Sequence, residues 1–153
     1  MTDRRTPAQL DRNWGELLQE LRVVQTGVQI LTAFLLTVPF APGFDRLGAT
    51  ERDVFAVVLV CALMSTLLLM APVALHRQLF HRGRRPWLVD TAHRLAQAGL
   101  ALLAVANVGA AWLVLGLVTT ARVAALAAAL LGATALLLWV LLPAWERWRG
   151  HMS

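Results

Sequence analysis

Apolar positions fall in four long runs, at residues 23–40, 54–75, 95–117 and 123–142, separated by short polar stretches. None of the four contains Asp, Glu, Lys or Arg. Each reaches the length of about 20 residues that a helix needs to cross a bilayer core. A helix on the surface of a soluble protein keeps a charged face, and these runs have none. The pattern predicts an all-α fold: an integral membrane four-helix bundle.

The first 22 residues follow a different rhythm. Leu10, Trp14, Leu17, Leu18 and Leu21 recur at helical spacing opposite Asp11, Arg12 and Glu16. Thr6-Pro7-Ala8-Gln9 fits a capping box with proline at the first helical position. An N-terminal amphipathic helix is expected over 1–22, leading into a membrane domain over 23–153. Its apolar face suits either the bilayer interface or a partner protein. No small-x-small cleavage site follows the first run, so that run is expected to remain as a signal anchor.

Composition supports this division. Of the 153 residues, 58% are hydrophobic, above the roughly 45–50% of soluble domains. All fourteen basic residues are arginines, and they are unevenly placed. Arg4, Arg5, Arg12, Arg22, Arg77, Arg82, Arg84, Arg85, Arg94, Arg147 and Arg149 fall on one side of the predicted spans. Only Arg46, Arg52 and Arg122 fall on the other. The positive-inside rule then puts both termini and the middle loop in the cytoplasm of a bacterium, with the protein multi-pass in its plasma membrane. Trp14, Trp87, Trp139, Trp145 and Trp148 come near that inner interface. Arg77, Arg82, Arg84 and Arg85 are candidates for contact with anionic lipid headgroups. The partners expected are the bilayer, those headgroups and further copies of the chain in a homo-oligomer, with no nucleic acid.

One motif occurs twice. Arg22-x-x-Gln25-x-Gly27 and Arg94-x-x-Gln97-x-Gly99 each open an apolar run and continue apolar-x-apolar-Leu. The second and fourth runs each carry a proline, Pro72 and Pro143, shortly before an arginine. These matches predict two tandem helical hairpins in parallel repeat, related by an axis along the membrane normal.

Polar groups inside the runs are the candidate chemistry. Arg22, Gln25, Gln29 and Thr32 step by three and four along the first helix, and His93, Gln97 and Asn107 share a face of the third. The simplest arrangement sets Gln25 opposite Gln97, with Gly27 and Gly99 allowing close packing. Gln25, Gln29, Thr32, Gln97 and Asn107 then form either a hydrated path for an ion or small solute, or a set of interhelical hydrogen bonds. Pro72 is expected to kink the second helix, aided by Ser65 and Thr66. Thr50 is a candidate cap for that helix, and Ala125, Ala129 and Ala133, with Ala128 and Gly132, form small-residue ridges.

Serine occurs only at Ser65 and Ser153, and the runs hold no carboxylate. No enzyme, metal or cofactor is expected from such a set. Cys61 is read as a packing residue.

The run WGELLQELRVVQTGVQILTAFLLTVPF, with APVALHRQLFHRG at the exit of the second helix, resembles an uncharacterised family of short actinobacterial four-helix membrane proteins. Its members often carry the label "sodium:proton antiporter". The resemblance extends from Trp14 to Trp145 and implies a proton or cation transport component. The alternative from the residues themselves is a structural or accessory membrane subunit.

Overall fold

The computed structural model describes residues 7–79 and 85–149. Among the described residues every regular element is helical: α1 spans Pro7–Thr37, α2 Ala49–Leu79, α3 Arg85–Val118, α4 Ala121–Leu136 and α5 Leu142–Arg149. α1 begins on Pro7 and runs unbroken to Thr37. Thr6, expected to cap it, lies outside the described residues, as do Arg4, Arg5, Arg82, Arg84 and the chain ends.

Four stretches are long and apolar enough to cross a membrane: Gln19–Phe40, Ala49–Leu75, Thr91–Val118 and Ala121–Glu146. Their lengths of 22, 27, 28 and 26 residues exceed the minimum for a bilayer core. Length and composition therefore mark a membrane protein.

Two compact units make up the chain. The first joins α1 to Ala62–Leu103, which is the later part of α2 and the earlier part of α3. In α1 the inward positions are Leu21, Gln25, Val28, Thr32 and Leu35, at alternating steps of four and three. In this part of α2 they are Ala62, Ser65, Leu69 and Pro72, and in α3 Ala92, Ala96 and Gly99. That 3.5-residue period is the signature of side chains interlocking between helices at shallow, left-handed crossings. Leu21, Val28, Leu69 and Ala96 form one buried cluster, with Val24, Leu100 and Leu103 packed against it. Small residues hold the closest approach. A Cβ on Gly99 would lie 2.9 Å from Leu69 Cγ and 3.3 Å from Leu68 Cβ, so only glycine fits there without a shift.

The second unit comprises Pro42–Cys61 and Ala104–Ser153. Its buried positions are Leu47, Phe55, Val58, Ala106, Leu113 and Ala124. Gly109 faces Val58 so closely that a Cβ would collide with a Val58 methyl. The expected small-residue ridges separate here: Gly132 faces Val108, whereas Ala125, Ala129 and Ala133 are exposed.

The segment before α2 turns at Gly43, whose φ of 107° lies in the left-handed region that favours glycine. Phe44 then stands edge-on to Phe55 with ring centroids 5.2 Å apart, and the Arg52 guanidinium lies 5.9 Å over the Phe44 ring. Arg52 also donates to the Asp45 carbonyl at 2.9 Å. Glu51, rather than the expected Thr50, closes the start of α2, accepting the Gly48 N–H at 2.6 Å. Thr50 sits inside the first turn, whereas Glu51 stands three residues past Gly48 and can reach back, as the glutamate of a capping box does.

The two intrahelical prolines behave differently. α2 stays α-helical through Pro72. Ahead of Pro143 the chain widens into a π turn over Leu137–Leu141, with the Leu142 N–H reaching back to the Leu137 carbonyl. A proline ring in a regular α-helix crowds the carbonyl four residues earlier and offers it no N–H. The wider turn relieves that crowding at Trp139.

Candidate functional site

The polar residues singled out in the first span divide between two faces of α1. Gln25 and Thr32 lie on the inward stripe, whereas Arg22 and Gln29 are exposed. The reason lies in their spacing. Gln25 and Thr32 are seven residues apart and keep the 3.5-residue register of Leu21, Val28 and Leu35. Arg22 and Gln29 share a second heptad stripe, one residue later and so about 100° further round.

Gln25 donates its amide N–H to the Leu69 carbonyl of α2 at 2.8 Å. It does not pair with Gln97, which lies exposed on α3. The carbonyl that Pro72 leaves without a helical N–H is that of Leu68, one residue earlier, so the Gln25 bond is an added interhelical contact on α2 and not a substitute for a missing one.

Ser65 makes the second interhelical bond. Its hydroxyl, fully buried, donates to the Gly99 carbonyl of α3 at 2.7 Å. Thr66, expected to act with it on the helix bend, instead donates back to Ala62 at 3.0 Å within α2. Ser65 was legible only as a helper of Pro72. Its partnership with Gly99 needs the two helices to be close, and a single sequence does not disclose that.

Thr32 is the exception. Its hydroxyl is buried and has no hydrogen-bond partner. Other helical threonines of this chain donate to the carbonyl four residues earlier, as Thr26 does to Arg22 at 3.1 Å and Thr134 to Leu130 at 2.8 Å.

The two copies of the repeated motif present opposite faces. Gln25 points inward and Gly27 outward, with nothing within 4 Å of where its Cβ would stand. Gln97 points outward and Gly99 inward against Leu69. Gly27 thus has no close-packing role in this chain, contrary to expectation. Arg22 and Arg94 are both exposed at the starts of the motifs, and Asn107 is exposed in the second unit. Of the five residues expected to form one polar set, the four in the first unit do not share a face: Gln25 and Thr32 face its packed interior, and Gln29 and Gln97 its surface.

At the far end of the chain, Leu137, Leu141, Leu142, Ala144, Trp145 and Trp148 line an apolar groove with Arg149 at its edge. The Arg149 guanidinium lies 5.5 Å over the Trp145 ring. Of the arginines expected to meet lipid headgroups, Arg77 is exposed near the end of α2, and Arg85 begins α3. Among the described residues, no three His, Cys, Asp or Glu side chains gather as metal ligands would.

These features define a class: an α-helical membrane protein in which the side chains of Gln25 and Ser65 bond to backbone carbonyls of neighbouring helices. The chain belongs to a family of unknown function, DUF6328, whose model matches residues 4–143. No curated protein and no solved structure matches it.

Proposed function

We propose that this protein is a non-enzymatic structural or accessory subunit of a bacterial plasma membrane, assembling with further copies of itself and with partner proteins. One observation carries the reading: the Gln25 amide is engaged with the Leu69 carbonyl rather than aimed into a water-filled path. A side chain that closes a backbone hydrogen bond between helices contributes about 0.6–2 kcal/mol to packing and is not available to solvate a passing ion.

In this reading both termini and the middle loop face the cytoplasm, following the eleven-to-three division of arginines. Arg77, Arg82, Arg84 and Arg85 meet anionic headgroups. The amphipathic arm over 1–22 lies at the inner interface and is the docking element for partners. The two hairpins descend from a tandem duplication whose copies have since taken opposite packing roles.

A second reading, a proton or cation conduit, follows the antiporter label of the actinobacterial proteins that the chain resembles. Thr32 favours it, because a buried hydroxyl without a protein partner is a natural station for water. Against it, proton-coupled cation exchange generally uses an intramembrane carboxylate, and residues 23–40, 54–75, 95–117 and 123–142 have none. Ion flux in proteoliposomes decides between them. The purified chain is expected to pass H+, Na+ and K+ no faster than protein-free vesicles. A flux abolished by Thr32→Val or Gln29→Leu would overturn the subunit reading.

A further inference from the structure

The exposed surface of α1 is divided. Val23, Ile30 and Phe34, 73%, 68% and 58% exposed, form a greasy stripe suited to lipid. About 100° away runs a second exposed stripe of small and polar residues: Thr26, Gln29 and Ala33. The Thr26 hydroxyl is occupied by the Arg22 carbonyl, so Thr26 presents little more than its methyl group. Inside the charge-free run, Gln29 brings to this stripe donors and an acceptor with no partner among the described residues.

Depth separates that amide from Gln97. Gln29 lies six residues inside the charge-free run over 23–40, about 9 Å at 1.5 Å per residue. Gln97 is exposed too, but it lies only two residues inside the run over 95–117, about 3 Å at the same rise. Left in hydrocarbon, the Gln29 amide would lose every hydrogen bond that it makes in water.

We propose that α1 is a self-association face on which Gln29 of one copy pairs with Gln29 of a second copy. A primary amide carries a donor edge and an acceptor edge, so it is complementary to itself about a two-fold axis, as isologous contacts require. Copies inserted in the same orientation place that axis along the membrane normal. The two α1 helices then cross at Gln29, with Thr26 and Ala33 small enough to allow close approach. Arg22 lies nearly two turns from the crossing, where the diverging helices keep the two guanidinium groups apart. The proposal deepens the assembly part of the subunit reading and is tested separately from flux.

The test uses the full chain in lipid bilayers with Cys61→Ala as background. Thr26→Cys or Ala33→Cys reports the proposed face, and Ile30→Cys or Phe34→Cys reports the lipid stripe. Iodine oxidation is expected to give covalent dimers from positions 26 and 33 and not from 30 and 34. Adding Gln29→Leu to the Ala33→Cys reporter should weaken dimerisation by about 3- to 20-fold, the range measured for interhelical hydrogen bonds in membranes. Gln29 is exposed in its own protomer, so leucine there leaves the fold intact, which α-helical circular dichroism checks. Cross-linking equal at all four positions, or unchanged by Gln29→Leu, overturns the proposal. So does rapid labelling of Gln29→Cys by a membrane-impermeant thiol reagent, since water rather than a second copy would then cover the site. Dimers through another face would remove this interface and leave the subunit reading standing.

Discussion

Residues 22–27 and 94–99 carry the same motif, and the structure uses them in opposite senses. In the first copy the glutamine is inside and the glycine outside; in the second the positions are exchanged. Residues two apart on an α-helix point about 200° from one another, so a helix that turns its glutamine inward must turn its glycine outward. Rotating one helix about its axis by half a turn is enough to convert either use into the other. Similar residues at matching positions therefore do not guarantee matching contacts, because a membrane helix that is apolar all round has little to fix its rotation except a few polar and small side chains.

The glycines give the largest test of this contrast. Gly99→Leu should destabilise the protein by about 3 kcal/mol or more, and Gly99→Ala by about 1–3 kcal/mol, as overpacking against Leu69 and Leu68 demands. Gly27→Ala should instead be neutral or stabilising by up to about 1 kcal/mol, from helix propensity alone. Thermal unfolding in detergent compares them, and equal losses at both positions would break the distinction.

A smaller difference is expected between the glutamines. Gln25→Leu should cost about 0.6–1.7 kcal/mol through loss of the bond to the Leu69 carbonyl. Gln97→Leu should leave the stability of the protomer unchanged, because its side chain makes no bond there. Smallest of all is the coupling between Gln25 and Pro72. The N–H regained in Pro72→Ala would serve the Leu68 carbonyl and not the one that Gln25 uses, so Gln25→Leu should cost the same with or without the proline, to within about 0.5 kcal/mol in a double-mutant cycle. A larger coupling would tie the glutamine to the proline.

The four spans were legible because hydrophobicity accumulates over twenty residues. The inward faces were not. In α1, Leu21, Val28 and Leu35 keep a heptad that Val23, Ile30 and Phe34 could equally have supplied, since both sets are apolar. Polarity was a partial guide: Gln25 and Thr32 face inward, whereas Gln29, whose spacing from Gln25 fits a neighbouring stripe of the helix as well as an inward face, is exposed. The buried bond from Ser65 to Gly99 joins residues 34 apart in sequence, and nothing local to either residue announces it. The π turn is similar. Pro143 signals a disturbance, but whether a helix bends or widens depends on what surrounds it.

The bond from Gln25 to the carbonyl of Leu69 also bears on heredity. Its acceptor is a backbone carbonyl, which is present whatever residue stands at 69. Substitution at 69 therefore cannot remove the amide's partner, and only the fit of the side chain against Gly99 limits the choice there. The demand for a donor falls wholly on position 25. Among the members of this family, position 69 should vary among apolar residues more freely than position 25 departs from glutamine.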